Sequence, residues 1–195
     1  DLIISEPSNP WVAGVSGLFT TEFYAHVKRF MAPRGVFAQW IHLSEINDGL
    51  VLSVVRAIAE NFPDYAMYVV GNHDVLIVAT NERTLPAPDW SVLQLPGVAN
   101  DLKRVLTFTP QMLDALRVVT GATLAPLVHS GGANSDFYPV LDLGAERTRF
   151  LGEGATGFIG LSGERFGIAT LLEPRRAPVS TAPYVVIGDV PRLEA

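Results

Sequence analysis

The chain has 195 residues, of which 48% are hydrophobic and 17% charged, a balance that fits a packed globular core and argues against disorder. Its net charge of −6 argues against a nucleic-acid partner, because phosphates are met by a basic face. There is no cysteine, which excludes disulfide scaffolds, thiolate metal sites and a cysteine nucleophile, and no run approaches the ~20 apolar residues that span a bilayer.

Residues 2–5 read as a short buried strand, ended by the turn-forming Pro7-Ser8-Asn9-Pro10. From Gly17, the apolar positions Phe19, Phe23, Val27, Phe30 and Met31 recur at helical spacing until Pro33-Arg34-Gly35. Residues 36–41 form a second strand. Ser44 is the expected N-cap of a helix that buries Ile46, Leu50, Val51, Val54, Val55, Ile58 and Phe62, with Pro63 as its stop. Two further strands, 65–70 and 75–80, flank Gly71-Asn72-His73-Asp74, a connection short enough to require an antiparallel hairpin. The order β-α-β-α-β-β predicts an α/β sheet, parallel at first, with one reversed strand at its end.

A Pro-rich stretch at 85–96 marks a boundary between a region 1–84 and a helical, loop-rich extension 85–195. The extension begins with a short helix at 98–106. A firmer one starts at Thr109-Pro110, where Thr caps and Pro takes the first helical position, with an apolar stripe of Met112, Leu113, Leu116 and Val119. Beyond Gly121 brief apolar runs alternate with Gly and Pro, and no regular pattern emerges.

The chemistry-bearing stretch is Ser5-Glu6-Pro7-Ser8-Asn9-Pro10-Trp11. In open α/β sheets, ligands sit beyond the carboxyl ends of the strands, and Glu6 stands just past such an end. The two prolines restrict the loop around the carboxylate and Asn9, while Trp11 offers a flat apolar wall. A carboxylate here suits holding an amine or accepting its proton. The bland account is that Glu6 and Asn9 shape a turn or cap the next helix.

This stretch resembles the fourth-strand loop of the spermidine synthases, whose pattern is an apolar strand, Asp-Ser-Ser-Asp-Pro, then Leu-Phe and Phe-Tyr. It is closer still to bacterial spermidine-synthase-like domains fused to membrane transporter-like segments, which carry Ser-Glu-Pro-Ser-Asn-Pro-Trp. Leu18-Phe19, Phe23-Tyr24, Gly35-Val36-Phe37-Ala38-Gln39-Trp40, Asn134-Ser135-Asp136 and Pro139 extend the match, which is specific to about residue 80 and patchy to about 150. The resemblance implies the C-terminal half of a Rossmann-like, methyltransferase-type domain whose cofactor-binding half lies upstream of Asp1. A chain that opens without Met on a strand-like run fits that expectation. It also implies an aminopropyltransferase of polyamine biosynthesis, with decarboxylated S-adenosylmethionine, or S-adenosylmethionine itself, as co-substrate and nothing bound tightly.

Carried onto this sequence, Glu6 takes the place of the aspartate that accepts the proton of the putrescine amine or orients it. Asn9 replaces the second aspartate that holds the diamine, and Gln39 matches a glutamine at the site rim. Ser5 and Trp11 belong to the same substrate-binding loop, and Asp136 lies on a loop implied to fold back towards it. Tyr24 matches in position but reads as a helix–sheet packing residue. Glu6 is one methylene longer than the family's acid, and Asn9 lacks the second charge, so the acceptor amine is expected to differ or catalysis to be lost. The implied partners are a small amine and a nucleoside sulfonium, with a homodimer allowed. The implied location is cytoplasmic, tethered to a membrane only through a longer parent. An S-adenosylmethionine-dependent methyltransferase and a non-catalytic ligand-binding domain remain as alternatives.

Other motifs carry less. Gly152-Glu-Gly154-Ala-Thr-Gly157 fits G-x-G-x-x-G, yet a dinucleotide turn follows a buried strand and opens a helix. Charged residues precede it, and Gly160, Gly163 and Gly167 follow, so a flexible surface loop is expected. His26, His42, His73 and His129 lack metal-ligand spacing. His42 stands just past the second strand, where facing the crevice is the minority reading, and His73 reads as a turn residue. Ser130-Gly131-Gly132 beside His129 is no nucleophile elbow. Arg175-Arg176 reads as a solvated pair.

Overall fold

The computed structural model describes residues 1–160 except 8, 13, 72, 106 and 107, and the backbone alone at 161–163. Arg175, Arg176 and Gly167 therefore lie outside the described residues, as does Ser8 of the motif. Among the described residues the fold is α/β, with a five-stranded mixed sheet and seven α-helices. None of those helices is long and apolar enough to cross a membrane.

Strand β1 (Leu2–Ser5) is followed by a 3-10 turn at Val15–Phe19 and helix α1 (Thr21–Phe30). The periodic run from Gly17 is thus two elements. Thr20 is extended and its hydroxyl accepts from Phe23 N–H, so α1 is capped there and cannot continue backwards into the turn. Strand β2 (Val36–His42) pairs parallel with β1, placing Ser5 opposite Gln39. Helix α2 (Asp48–Ala59) is capped by Asn47, whose side chain accepts from Leu50 N–H. Ser44, the expected cap, instead bridges Gly154. The expected buried face holds: Ile46, Val51, Val54, Val55 and Ile58 are all fully buried.

The hairpin β3 (Asp64–Val69) and β4 (Asp74–Thr80) forms as its short turn requires. The sheet order, however, is β1-β2-β4-β3, with β5 (Arg117–Thr120) beyond β3. The reversed strand β4 is inserted between β2 and β3, antiparallel to both, and does not end the sheet. The expected helix through Val119 stops earlier. Helix α4 (Pro110–Leu116) gives way to β5, where Val118 and Val119 are β-branched and bury against β3. Helix α3 (Pro96–Val105) precedes it. Helices α5 (Gly121–Val128), α6 (Val140–Leu151) and α7 (Thr156–Gly163) then return to pack against α2.

One sheet face is the core side. Phe37, Gln39, Ile41, Met67 and Ile77 are fully buried there, and Phe37 contacts the Tyr24 and Phe62 rings. The other face carries half-buried Trp40, His42, Leu76, Val78 and Tyr68. Strand β1 is an edge strand, and its expected burial fails: Leu2 and Ile4 are 60% and 61% exposed.

Candidate functional site

The site grows from the carboxyl ends of β1 and β2. Because these strands are parallel, both ends open on one side of the sheet, and the Glu6 loop leaves beside the last residues of β2. Glu6 is exposed. Ser5 is half-buried, its carbonyl accepting from Gln39 Nε2 at 3.3 Å. Asn9 is half-buried and its carbonyl accepts from Val12 N–H at 3.0 Å, closing the turn.

Two residues expected at the site face elsewhere. Gln39 points into the core, where its amide donates to Ser5 and Trp40 carbonyls and its oxygen accepts from Tyr24 Oη at 3.3 Å. The alternation of β2 requires this, since Gln39 shares a face with Phe37 and Ile41. Its amide holds the two strand ends together from within. Tyr24, fully buried, is the packing residue expected, and burial raises its phenol well above the usual range. Trp11 is only 9% exposed, and the Arg149 guanidinium covers its ring at 5.2 Å from the centroid. The indole is a seat for α6 more than an open wall.

Asp136 is exposed, and its N–H donates to Glu22 Oε2 at the start of α1. The residue that matters in that loop is Asn134. Fully buried, it donates from Nδ2 to the carbonyls of Phe19 and Ser16 at 3.1 and 3.4 Å and accepts from Leu141 N–H at 3.1 Å. Its backbone bonds Ser53 and Thr21. Ser16 adds a hydroxyl bond to Asp142 at 2.8 Å. This loop folds back onto the segment after β1 and pins it.

The glycine-rich stretch is a short helix–helix connection, tied to α2 and to the end of β2 by hydrogen bonds. Gly152, left-handed at φ 64°, ends α6 as its αL cap. Ala155 N–H bonds Leu43 O, and α7 follows. The N–H groups of Gly157 and Phe158 donate to the two oxygens of Asp48, at 3.0 and 3.1 Å. A Cβ on Gly157 would lie 3.0 Å from that carboxylate. Helix α6, not a strand, precedes the stretch, and its phosphate-like donors are spent on Asp48.

The residue group that sequence reading undervalued is at the end of β2. His42 Nδ1 lies 2.6 Å from Asp74 Oδ1, its register partner on β4. Trp40 stacks on the imidazole at 5.9 Å between centroids and 19° between planes, and His73 meets its edge at 6.5 Å. Trp40 and His42 share a face by strand alternation, and Asp74 joins them only because β4 sits beside β2, which the expected strand order did not contain. No protein-family model matches the chain, and comparison with curated proteins finds no match.

Proposed function

We propose that this chain is the C-terminal half of a Rossmann-like transferase domain of the polyamine aminopropyltransferase type. Decarboxylated S-adenosylmethionine would be the co-substrate and a small amine such as putrescine the acceptor. The reading rests on the motif that Glu6 heads, and one observation of the fold supports it above the others. The motif leaves the carboxyl end of β1 alongside the parallel end of β2, where ligands of open α/β sheets bind.

In this reading the amine nitrogen attacks the propyl carbon beside the sulfonium. The carbon–nitrogen bond forms, the carbon–sulfur bond breaks, and 5′-methylthioadenosine leaves with the electron pair. The Glu6 carboxylate attracts and orients the cationic amine, and the protein's work is alignment and proton removal. Asn9 beside it adds no second charge, so a monoamine or a short diamine fits better than a long dication. The exposed Leu2 and Ile4 on edge strand β1 support a parent domain in which further strands pair with that edge, since an exposed apolar edge is otherwise a liability.

The test is transfer by the parent protein, with its upstream residues present. Glu6→Gln is expected to lower kcat/KM for the amine about 100-fold, the scale of losing the group that positions it. Unchanged activity would remove Glu6 from the mechanism. The burial of Gln39 favours a second reading, a non-catalytic ligand-binding domain. Nucleotide binding without turnover, measured by calorimetry and product analysis, would select it.

A further inference from the structure

At the same sheet end, the cross-strand pair His42 and Asp74 has the geometry of a proton-transfer dyad. An ionised carboxylate only accepts hydrogen bonds, so at 2.6 Å the proton between the two groups sits on Nδ1 of the imidazole. In that tautomer the imidazole carries its lone pair on Nε2. That tautomer makes a histidine a base, and a carboxylate behind Nδ1 fixes it. The ring is also held in place. Trp40 is stacked with it and the His73 ring stands at a T-shaped angle to it, while Leu43 N–H bonds His73 O at 2.6 Å and ties the hairpin turn to the end of β2. The two side chains remain 28% and 31% exposed, open enough to exchange a proton with a bound molecule.

Position joins the dyad to Glu6. Ser5, the last residue of β1, pairs with Gln39, so the Glu6 loop leaves the sheet beside the segment of β2 that runs on through Trp40 to His42. Among the described residues, the titratable groups that meet His42 are Asp74 on β4 and His73 in the hairpin turn. Exposed Glu6 has no hydrogen bond or ion pair among the described residues to fix its carboxylate, whereas His42 is held on three sides.

We propose that His42, positioned by Asp74, is the proton acceptor of this site, and that Glu6 serves to hold the acceptor amine. On the aminopropyl-transfer reading, as the new carbon–nitrogen bond forms, the ammonium proton passes to Nε2 of His42 and is then released to solvent. Asp74 does not touch the substrate; it is a positioning residue.

Two measurements test this. The first is the 15N NMR spectrum of the imidazoles, which needs no turnover. At neutral pH, His42 is expected as the Nδ1–H tautomer, and Asp74→Asn is expected to shift it towards the Nε2–H form. An Nε2–H tautomer in the unaltered protein overturns the dyad whatever the reaction. The second is the pH profile of transfer by the parent protein. His42→Gln is expected to lower kcat about 100-fold and to remove the acid limb, and Asp74→Asn to lower kcat while moving that limb. Glu6→Gln should act mainly on KM for the amine and keep the limb. Transfer by the unaltered protein with the same profile in His42→Gln overturns the role of His42 and leaves the transfer reading standing. No transfer by the unaltered protein overturns the reading itself, and the tautomer then decides the dyad alone.

Discussion

Asn134 joins the 3-10 turn after β1, the backbone of α2 and the start of α6 through one fully buried residue. Asn134→Ala would strand two carbonyls and one N–H in the core. At about 1 kcal/mol or more for each buried group left unpaired, a loss of about 3 kcal/mol is expected in a urea or guanidinium titration. Two tyrosines behave oppositely. Tyr24 donates to Gln39, so Tyr24→Phe should cost about 1 kcal/mol. The buried Tyr65 hydroxyl has no hydrogen-bond partner among the described residues, so Tyr65→Phe should be neutral or stabilising. Burial, helped by the Asp64 charge, pushes Tyr65 up to about 12 from its ordinary 10, and burial alone raises Tyr24. In the unfolded chain both ionise near the ordinary value. Above it only the unfolded state gives up the protons, so the folded state binds more, and stability falls as pH rises. The slope is about 1.4 kcal/mol per pH unit for each tyrosine, and for Tyr65 the loss runs through pH 10 to 12. Thermal melts from pH 8 to 12 are expected to fall above 10, less so in Tyr65→Phe. The turn that follows β1 was legible in the sequence, because a strand end followed by two prolines is a local pattern. The roles of Asn134 and Gln39 were not. Each depends on partners 15 to more than 100 residues away, and Asn134 in a Gly-rich stretch reads simply as a turn.

At the scale of elements, α2 and the hairpin were readable because their apolar spacing is long and unbroken. Boundaries shifted where two caps competed. Asn47 outcompetes Ser44 for α2, since Ser44 sits in the bridge with Gly154 and Glu45 has a positive φ of 59°. The β5 strand was invisible because four residues, Arg117–Thr120, carry too little periodicity to stand against the helix before them. The G-x-G-x-x-G stretch departs furthest from its letters. Asp48, in the first turn of α2, also accepts two N–H groups at the start of α7, so one carboxylate faces two helix N-termini. Asp48→Ala is expected to cost about 1–2 kcal/mol and to raise amide exchange across residues 156–160 before the sheet is affected. Equal exchange in the variant and the unaltered protein would show that the cradle contributes nothing.

For the whole molecule, the composition and the β-α-β-α-β-β order foretold an α/β protein, and the sheet is one. The position of the reversed strand was beyond local reading, because a hairpin dictates that β3 and β4 pair but not which of them meets β2. That one placement brings Asp74 to His42 and gives the strand-end site its proton-transfer pair. On the proposed transfer reading, Glu6 holds the amine nucleophile and His42 takes its proton. The most direct test supplies the parent protein with decarboxylated S-adenosylmethionine and putrescine and follows products by mass spectrometry. The account expects spermidine, or the aminopropylated form of another supplied amine, in equal amount with 5′-methylthioadenosine, both falling together in Glu6→Gln. Formation of S-adenosylhomocysteine from S-adenosylmethionine without aminopropyl transfer, or neither product, would contradict it.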